Sequence, residues 1–458
     1  MASRVSDTTP ARILIVGGGG REHALAWKLA GDPGVEQVVV APGNAGIARE
    51  PGVRVAPVDA TDPAAVVEIA RSVGADLVVV GPEAPLAAGV ADALLEARIP
   101  VFGPDREAAR LESSKAFCHE VTSAAGVRMA RGRAFAGGEL SAAAAYIRAL
   151  AADGTGVVLK ADGLAAGKGV VVTESTAQAL DLLPSFVANR PAGVPALVIE
   201  ERLSGPEASV IAVCDGDRLV ALPTARDHKR LADGDAGPNT GGMGAYSPLP
   251  DLDDAMADRV IDAVHRPVLA EMARRGSPFR GFLYAGLMLT VDGPVLLEFN
   301  VRMGDPEAQV VLPRLGRPLA PTLHAAARGE LPGDPARIPA AADAAAGVVL
   351  AAAGYPVEPR RGDRIEGLEA AAAQGALVFH AGTRERADGT IETNGGRVLT
   401  VVGRGPDLAA ARARAERAAD AIRWDGMQRR HDIAAAPARE PVSAAADAAA
   451  VVSPRGGL

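Results

Sequence analysis

Residues 157–173, VVLKADGLAAGKGVVVT, set the terms for the rest of the chain. Valines at 157–158 and 170–172 favour extended strands, and between them Gly163, Gly167 and Gly169 leave the backbone bare. A strand, a stripped loop and a second strand let a ligand approach the amide N–H groups directly. Lys160 at the end of the first strand and Lys168 inside the loop add ammonium charge, so the hairpin suits a polyphosphate. It is not a GxxxxGK[ST] phosphate loop. The glycines stand one residue too close, no Ser or Thr follows the lysine, and a strand follows where that motif opens a helix. Taken alone, the stretch equally fits a mobile hairpin with solvated lysines.

A chain of 458 residues exceeds one core and should divide into about three or four units. Apolar residues make up 48% but aromatics only 3%, so the cores must be built from Ala, Val and Leu. The net charge of -8, with no basic arm or stripe, argues against nucleic acid and for small-molecule partners. Cys118 and Cys214 lie far apart with no CxxC pairing, so a reducing, cytoplasmic compartment is expected. Residues 1–12 lack the apolar core of a signal peptide, and no run approaches the ~18 apolar residues of a membrane span.

Residues 13–16 read as a buried parallel strand, followed by glycines at 17–20 and a helical pattern over 22–29. Such a turn gathers backbone donors and a positive dipole end at one spot. Glu22 stands where the dinucleotide fingerprint needs a third glycine, and strand 38–40 runs into Ala41, Pro42, Gly43 and Asn44 in place of a ribose-binding acid. The turn is therefore read as a seat for a single phosphate, or as a tight turn only. Strands at 77–80 and 99–102, alternating with helices at 64–72 and 87–97, predict a Rossmann-like parallel sheet. Glu83 falls at the carboxyl end of a strand, where ligands collect, and equally suits a helix cap.

A helix carrying Lys115, an Ala-rich helix over 134–152, the hairpin and a helix over 176–187 predict a small α+β lid inserted into a larger domain. Its return strand, 196–199, ends in Glu200 and Glu201, with Glu207 beyond; these acids suit an adenine and a ribose, or simply the surface. Residues 225–248 show no period and contain Asp227, His228, Lys229 and Arg230, which predicts a long functional loop. Strands 284–290 and 295–299 should turn at Asp292-Gly293. Glu298 and Asn300 then project from one face, which suits Mg²⁺, an ion that takes few protein ligands. Strands at 347–351, 377–380 and 397–402 and a helix at 407–422 predict a small α+β domain, with a disordered Ala- and Pro-rich tail.

The ordered motifs GGGGREHALAWK, VAPGNAG, VGPEAPL, ESSKAF, KADGLAAGKGV, DHKR, GPNTGGMGAYSP, FLYAGLM, EFN and TNGGRVL resemble the phosphoribosylamine–glycine ligase family of ATP-grasp enzymes over residues 13–433. The resemblance implies an α/β chain with the ATP-grasp fold. A flexible extension (1–11) would precede an N-terminal Rossmann-like domain (12–113). A central domain (114–133 and 205–335) would carry the lid (134–204), followed by a C-terminal α+β domain (336–433) and a tail (434–458). It also implies a monomeric, cytoplasmic enzyme of purine biosynthesis that joins glycine to 5-phosphoribosylamine through glycyl phosphate, using ATP with Mg²⁺ or Mn²⁺. A carboxylate is a poor electrophile and must be activated before an amine attacks; the demand is positioning and charge neutralisation.

On the same resemblance, Lys115 and Lys160 contact ATP, and Gly163, Gly167, Lys168 and Gly169 fold over its phosphates. Glu200, Glu201 and Leu203 border the adenine, and Glu207 meets the ribose. Glu298 and Asn300 correspond to metal ligands and Arg302 to the cation at the transferring phosphate, with Lys160 and Asp227 as further catalytic candidates. Gly18, Gly19, Arg21, Glu22, Asn44 and Glu83 correspond to the phosphoribosylamine site, completed by Lys229, Asp305, Pro306 and Glu307. The family usually reads RFGDPE where this chain has Met303 after Arg302; Met fills an apolar slot left by Phe, so altered packing with activity retained is expected. Two other readings stay open: an ATP-grasp enzyme using formate or bicarbonate with another nucleotide, and a nucleotide sensor without catalysis.

Overall fold

The computed structural model describes residues 9–136, 138–164, 169–188, 196–333 and 336–435. Gly167, Lys168 and, apart from residues 9–11 and 434–435, the expected extension and tail lie outside them. Near the N terminus five parallel strands run in the order Val53–Val55, Gln37–Pro42, Arg12–Gly17, Leu77–Val80 and Val101–Phe102. Alternate residues bury on opposite faces. Leu14, Val16, Val78 and Val80 enter one core and Ile13, Ile15, Leu77 and Val79 another, which is why these strands read as unbroken apolar runs. The helix expected over 87–97 is two, Glu83–Ala88 and Val90–Glu96, because Gly89 at φ 88° makes the left-handed turn that ends the first.

The lid is an antiparallel sheet ordered Gly132–Ala136, Ala196–Glu201, Val157–Ala161 and Val170–Val172. Helices Leu140–Leu150 and Thr176–Ala188 bury Ala143, Ile147, Ala179 and Leu183 in one core with Phe135, Leu159, Leu197 and Ile199. The Ala-rich stretch expected as one helix from 134 therefore starts as an edge strand. Pairing of Phe135 with Leu197 overrides local helical propensity.

In the central sheet, Gly293–Asn300, Phe279–Thr290, Glu207–Gly216 and Leu219–Ala221 are antiparallel neighbours, and Ala336–Arg337 adds a parallel edge. The expected hairpin closes between Thr290 and Gly293. A further sheet holds Arg226–Asp227, Gly244–Ser247, Ala344–Ala351, Arg397–Gly405 and Leu377–His380. Residues 225–248 are thus not a structureless loop: two of their short strands enter this sheet, and Arg230–Ala232 and Ala236–Asn239 pair with each other. The sheets also cross the boundary expected at 335/336 in both directions. Helix Leu408–Ala421 seats directly on the shared sheet through Ala411, Ala415, Ala418 and Ala419. A Cβ on Gly403 would lie 2.1 Å from Ala411 O, so small residues allow the close approach that replaces aromatic bulk. Among the described residues no helix is long and apolar enough to cross a membrane.

Candidate active site

The glycine-rich hairpin is stapled at its base to the start of helix Lys115–Ala124. Asp162 accepts hydrogen bonds from Ser114 Oγ (3.0 Å) and Ala116 N (3.1 Å), and Lys115 Nζ donates to Gly163 O (2.9 Å). Ala161 N donates to Gly169 O at 2.7 Å on the far side of the loop. Lys160 is 5% exposed, with its ammonium 2.6 Å from Glu200 of the lid and 3.1 Å from Leu297 O of the central sheet. One cation therefore spans the seam between the two sheets. Burial works to raise the Glu200 carboxyl, but Lys160 and His119 outweigh it and hold it below the usual carboxylate range. Glu201 is held differently, accepting from Arg131 N (2.8 Å) and Nε (2.7 Å). Leu203 lies half-buried just beyond.

Glu298 and Asn300 share one half-exposed face of strand Gly293–Asn300. Lys229 Nζ lies 2.6 Å from Glu207 and 3.8 Å from Glu298. Burial would raise Glu298, yet Lys229, Lys160 and Lys115 overcome it and keep the carboxylate ionised. Asp227 goes the other way. Burial, reinforced by Glu307, Glu207 and Glu298, pushes its carboxyl up to about 8 against the pull of Lys229. An ionised carboxylate and an amide oxygen side by side fit Mg²⁺ if phosphate or water completes the shell. Among the described residues no cluster of three or more His, Cys, Asp or Glu side chains offers a fuller metal site.

Arg302, two residues beyond Asn300, anchors a chain of alternating charges. Its guanidinium lies 2.8 Å from Glu112 and 3.3 Å from Glu83; Glu83 is 4.0 Å from Arg21, which is 2.6 Å from Glu22. Met303 O accepts from both arginines, at 3.1 Å from Arg21 and 3.3 Å from Arg302. Burial would lower Arg302, but Glu112, Glu83 and Glu307 raise it, so the cation is secured. The Met303 side chain is fully buried in the core it shares with Ala308 and Val310. It is a packing residue here, as expected of a substitute for Phe.

The turn over 17–20 differs from the single-phosphate seat read in the sequence. Glu22 reaches back to accept the Gly19 N–H, so the helix's own carboxylate takes the donor meant for an anion. Asn44 is also committed: Nδ2 donates to Gly18 O (2.9 Å) and His380 O (2.8 Å), while Oδ1 accepts from Gly46 and Ile47. What Gly18, Gly19 and Asn44 do line is a cavity of about 390 Å³, with Asp305 and, from the C-terminal strands and turns, Thr383, Asn394 and Arg397. Asp305 lies 3.1 Å from Arg397 and accepts from Gln309 at 2.9 Å. Pro306 packs on Gly242, where a Cβ would meet its ring at 2.6 Å. Glu307 is buried, accepting from Tyr284 OH (2.8 Å) and Ser209 Oγ (3.2 Å).

Asp162, His119, Glu112 and the C-terminal residues Asn394 and Arg397 escaped the sequence reading as site residues. Glu112, Asp162 and the last two lie inside motifs already singled out, ESSKAF, KADGLAAGKGV and TNGGRVL, so a signal was present for all but His119.

Residues 11–112, 113–308 and 345–436 match in turn the N domain, the ATP-grasp (A) domain and the C domain of phosphoribosylglycinamide synthetase. The chain belongs to the phosphoribosylglycinamide synthetase family. A member of this family from Streptomyces coelicolor, named phosphoribosylamine–glycine ligase, is 52% identical over 427 residues, covering 93% of this chain and 99% of the relative. The solved phosphoribosylamine–glycine ligase of Thermotoga maritima is similar with a TM-score of 0.76 at 34% identity, covering 92% of this chain and 99% of that one. The biotin carboxylase domain of Hydrogenobacter thermophilus 2-oxoglutarate carboxylase, at 16% identity and a TM-score of 0.68 over 92% of each chain, shares the ATP-grasp fold alone with the synthetase family.

Proposed function

We propose that the chain catalyses the ATP-dependent joining of glycine to 5-phosphoribosylamine in purine biosynthesis, giving glycinamide ribonucleotide, ADP and phosphate. One contact supports this most: the Lys160 ammonium at the lid seam, hydrogen-bonded to the residue before Glu298. The γ-phosphoryl group passes to a glycine carboxylate oxygen and ADP leaves. The amine nitrogen then attacks the acyl carbon of glycyl phosphate, the bond to phosphate breaks, and the amine loses a proton. Lys115, Lys160, Gly163 and Gly169 hold the triphosphate, Glu200, Glu201 and Leu203 border the adenine, and Glu207 meets the ribose. Arg302 neutralises charge on the transferring group. Asp227, buried beside Lys229, would in its ionised form take the amine's proton. Glu298 and Asn300 would hold magnesium, or manganese, which supplies charge neutralisation at the phosphates. The cavity beside Gly18, Gly19 and Arg397 takes the phosphoribosyl group, with Arg21, Glu22, Asn44, Glu83, Lys229, Asp305, Pro306 and Glu307 shaping its approach. The same reading makes the protein a cytoplasmic monomer.

A coupled assay for ADP with freshly generated 5-phosphoribosylamine tests this. Release that requires both glycine and the amine supports it. Release sustained by formate or bicarbonate in place of glycine, or no release, overturns it.

A further inference from the structure

On helix Lys115–Ala124, His119 Nε2 lies 2.9 Å from Glu200 Oε1, while the other carboxylate oxygen, Oε2, lies 2.6 Å from Lys160 Nζ. A carboxylate that is ionised only accepts hydrogen bonds, so Nε2 carries the proton of this contact. Space is reserved for the arrangement: a Cβ on Gly132 would fall 2.7 Å from Glu200 Cγ and 2.8 Å from His119 Cε1. Glu200 is 1% exposed and cannot turn to water. Its charge is met by Lys160 and His119.

This bears on Lys160. A nucleotide that recruits the ammonium draws it from a carboxylate with no solvent to fall back on, and an unpaired buried charge is costly. A second donor on Glu200 lowers the cost of that sharing; without one, Lys160 is pinned. The geometry points to His119 as a positioning residue for nucleotide binding, which orients and partly neutralises Glu200 so that Lys160 is free to engage ATP. This rests on Lys160 being an ATP-contacting lysine.

The test is calorimetric titration of the full chain with ATP and Mg²⁺, together with steady-state kinetics. In His119→Leu the Kd and KM for ATP rise about tenfold or more, the scale of one hydrogen bond to a charged group. The kcat at saturating ATP and the KM for glycine stay within about twofold. His119→Gln, whose amide N–H reaches close to the Nε2 position, restores most of the affinity. Should the leucine variant not fold, His119→Asn, whose amide falls short of Glu200, takes its place. Unchanged ATP affinity in a folded variant, a loss that glutamine fails to rescue, or a fall in kcat at unchanged KM overturns the role of His119. Absence of ATP binding by the wild type overturns the reading of Lys160 and this inference together.

Discussion

Gly46 precedes the short turn Ile47–Arg49 with φ -75° and ψ -43°, values any residue adopts. Its constraint is space. A Cβ there would lie 2.2 Å from His380 Cγ and 2.4 Å from Cδ2, where carbon atoms need about 3.5 Å. Gly46→Ala therefore displaces the ring by more than about 1 Å. His380 has little freedom to give way: its N–H donates to His23 Nδ1 at 2.7 Å, its carbonyl accepts from Asn44 at 2.8 Å, and its ring meets Thr383 Oγ1 at 3.1 Å. Overpacking costs about 1–3 kcal/mol and each broken hydrogen bond about 1 kcal/mol, so with two of the three broken the contact loses roughly 3–5 kcal/mol. The contact joins the N-terminal residues to strand Leu377–His380, so the loss falls on docking of the C-terminal part and on the cavity both sides line. The KM for phosphoribosylamine should rise more than about tenfold, with ATP affinity nearly unchanged and faster amide exchange along Leu377–His380. Gly333→Ala, with nothing within 4 Å of the added Cβ, is the control. Wild-type exchange and an unchanged amine KM in folded Gly46→Ala would refute the steric reasoning.

Glu298→Gln should lower kcat about 10²-fold, or about 3 kcal/mol, with the fold intact because Lys229 keeps Glu207 at 2.6 Å; near-native turnover would remove the metal assignment. Arg302→Lys keeps the charge but not the fork that reaches both Glu112 and Glu83, so turnover should fall about tenfold or more, and a wild-type rate would show that charge alone suffices. Burial, with His23 and Arg49, lowers His380 to about 3, so the folded state holds it neutral while the unfolded chain protonates it near 6.5. Its contribution to stability is complete above about pH 6.5 and is lost as pH falls toward about 3. Melting of His380→Gln between pH 4.5 and 7.5 should show a shallower dependence than wild type, and parallel curves would exclude the effect.

Much of the architecture was legible where burial is local to a strand. Residues 13–16 and 77–80 are apolar throughout because both faces of their sheet are covered. Residues 244–247 were not legible as a strand, since what makes them one is pairing with Ala344–Ala351, about a hundred residues away, and residues 226–227 are a strand only through pairing with 244–247. Phe135 was misread for the same reason, its partner Leu197 lying beyond the whole hairpin. The break at Gly89 did leave a mark in the sequence, a glycine in mid-helix. In the site, the motif-borne lysines and Glu298 were visible as chemistry. The roles of Glu112, His119 and Asp162 were not, although Glu112 and Asp162 stand inside quoted motifs, because ordinary charged residues acquire a role only from the group the fold sets opposite them.

The sheet that takes Arg226–Asp227 and Gly244–Ser247 together with three strands from beyond residue 343 makes the last quarter of the chain impossible to excise cleanly. A truncation before Ala344 would strip strand Gly244–Ser247 of its long neighbour and leave bare N–H and C=O groups ready to zip onto another copy. A chimera that borrows this portion from a relative must carry the 226–247 segment along with it, or splice two halves of one ladder that were never fitted to each other.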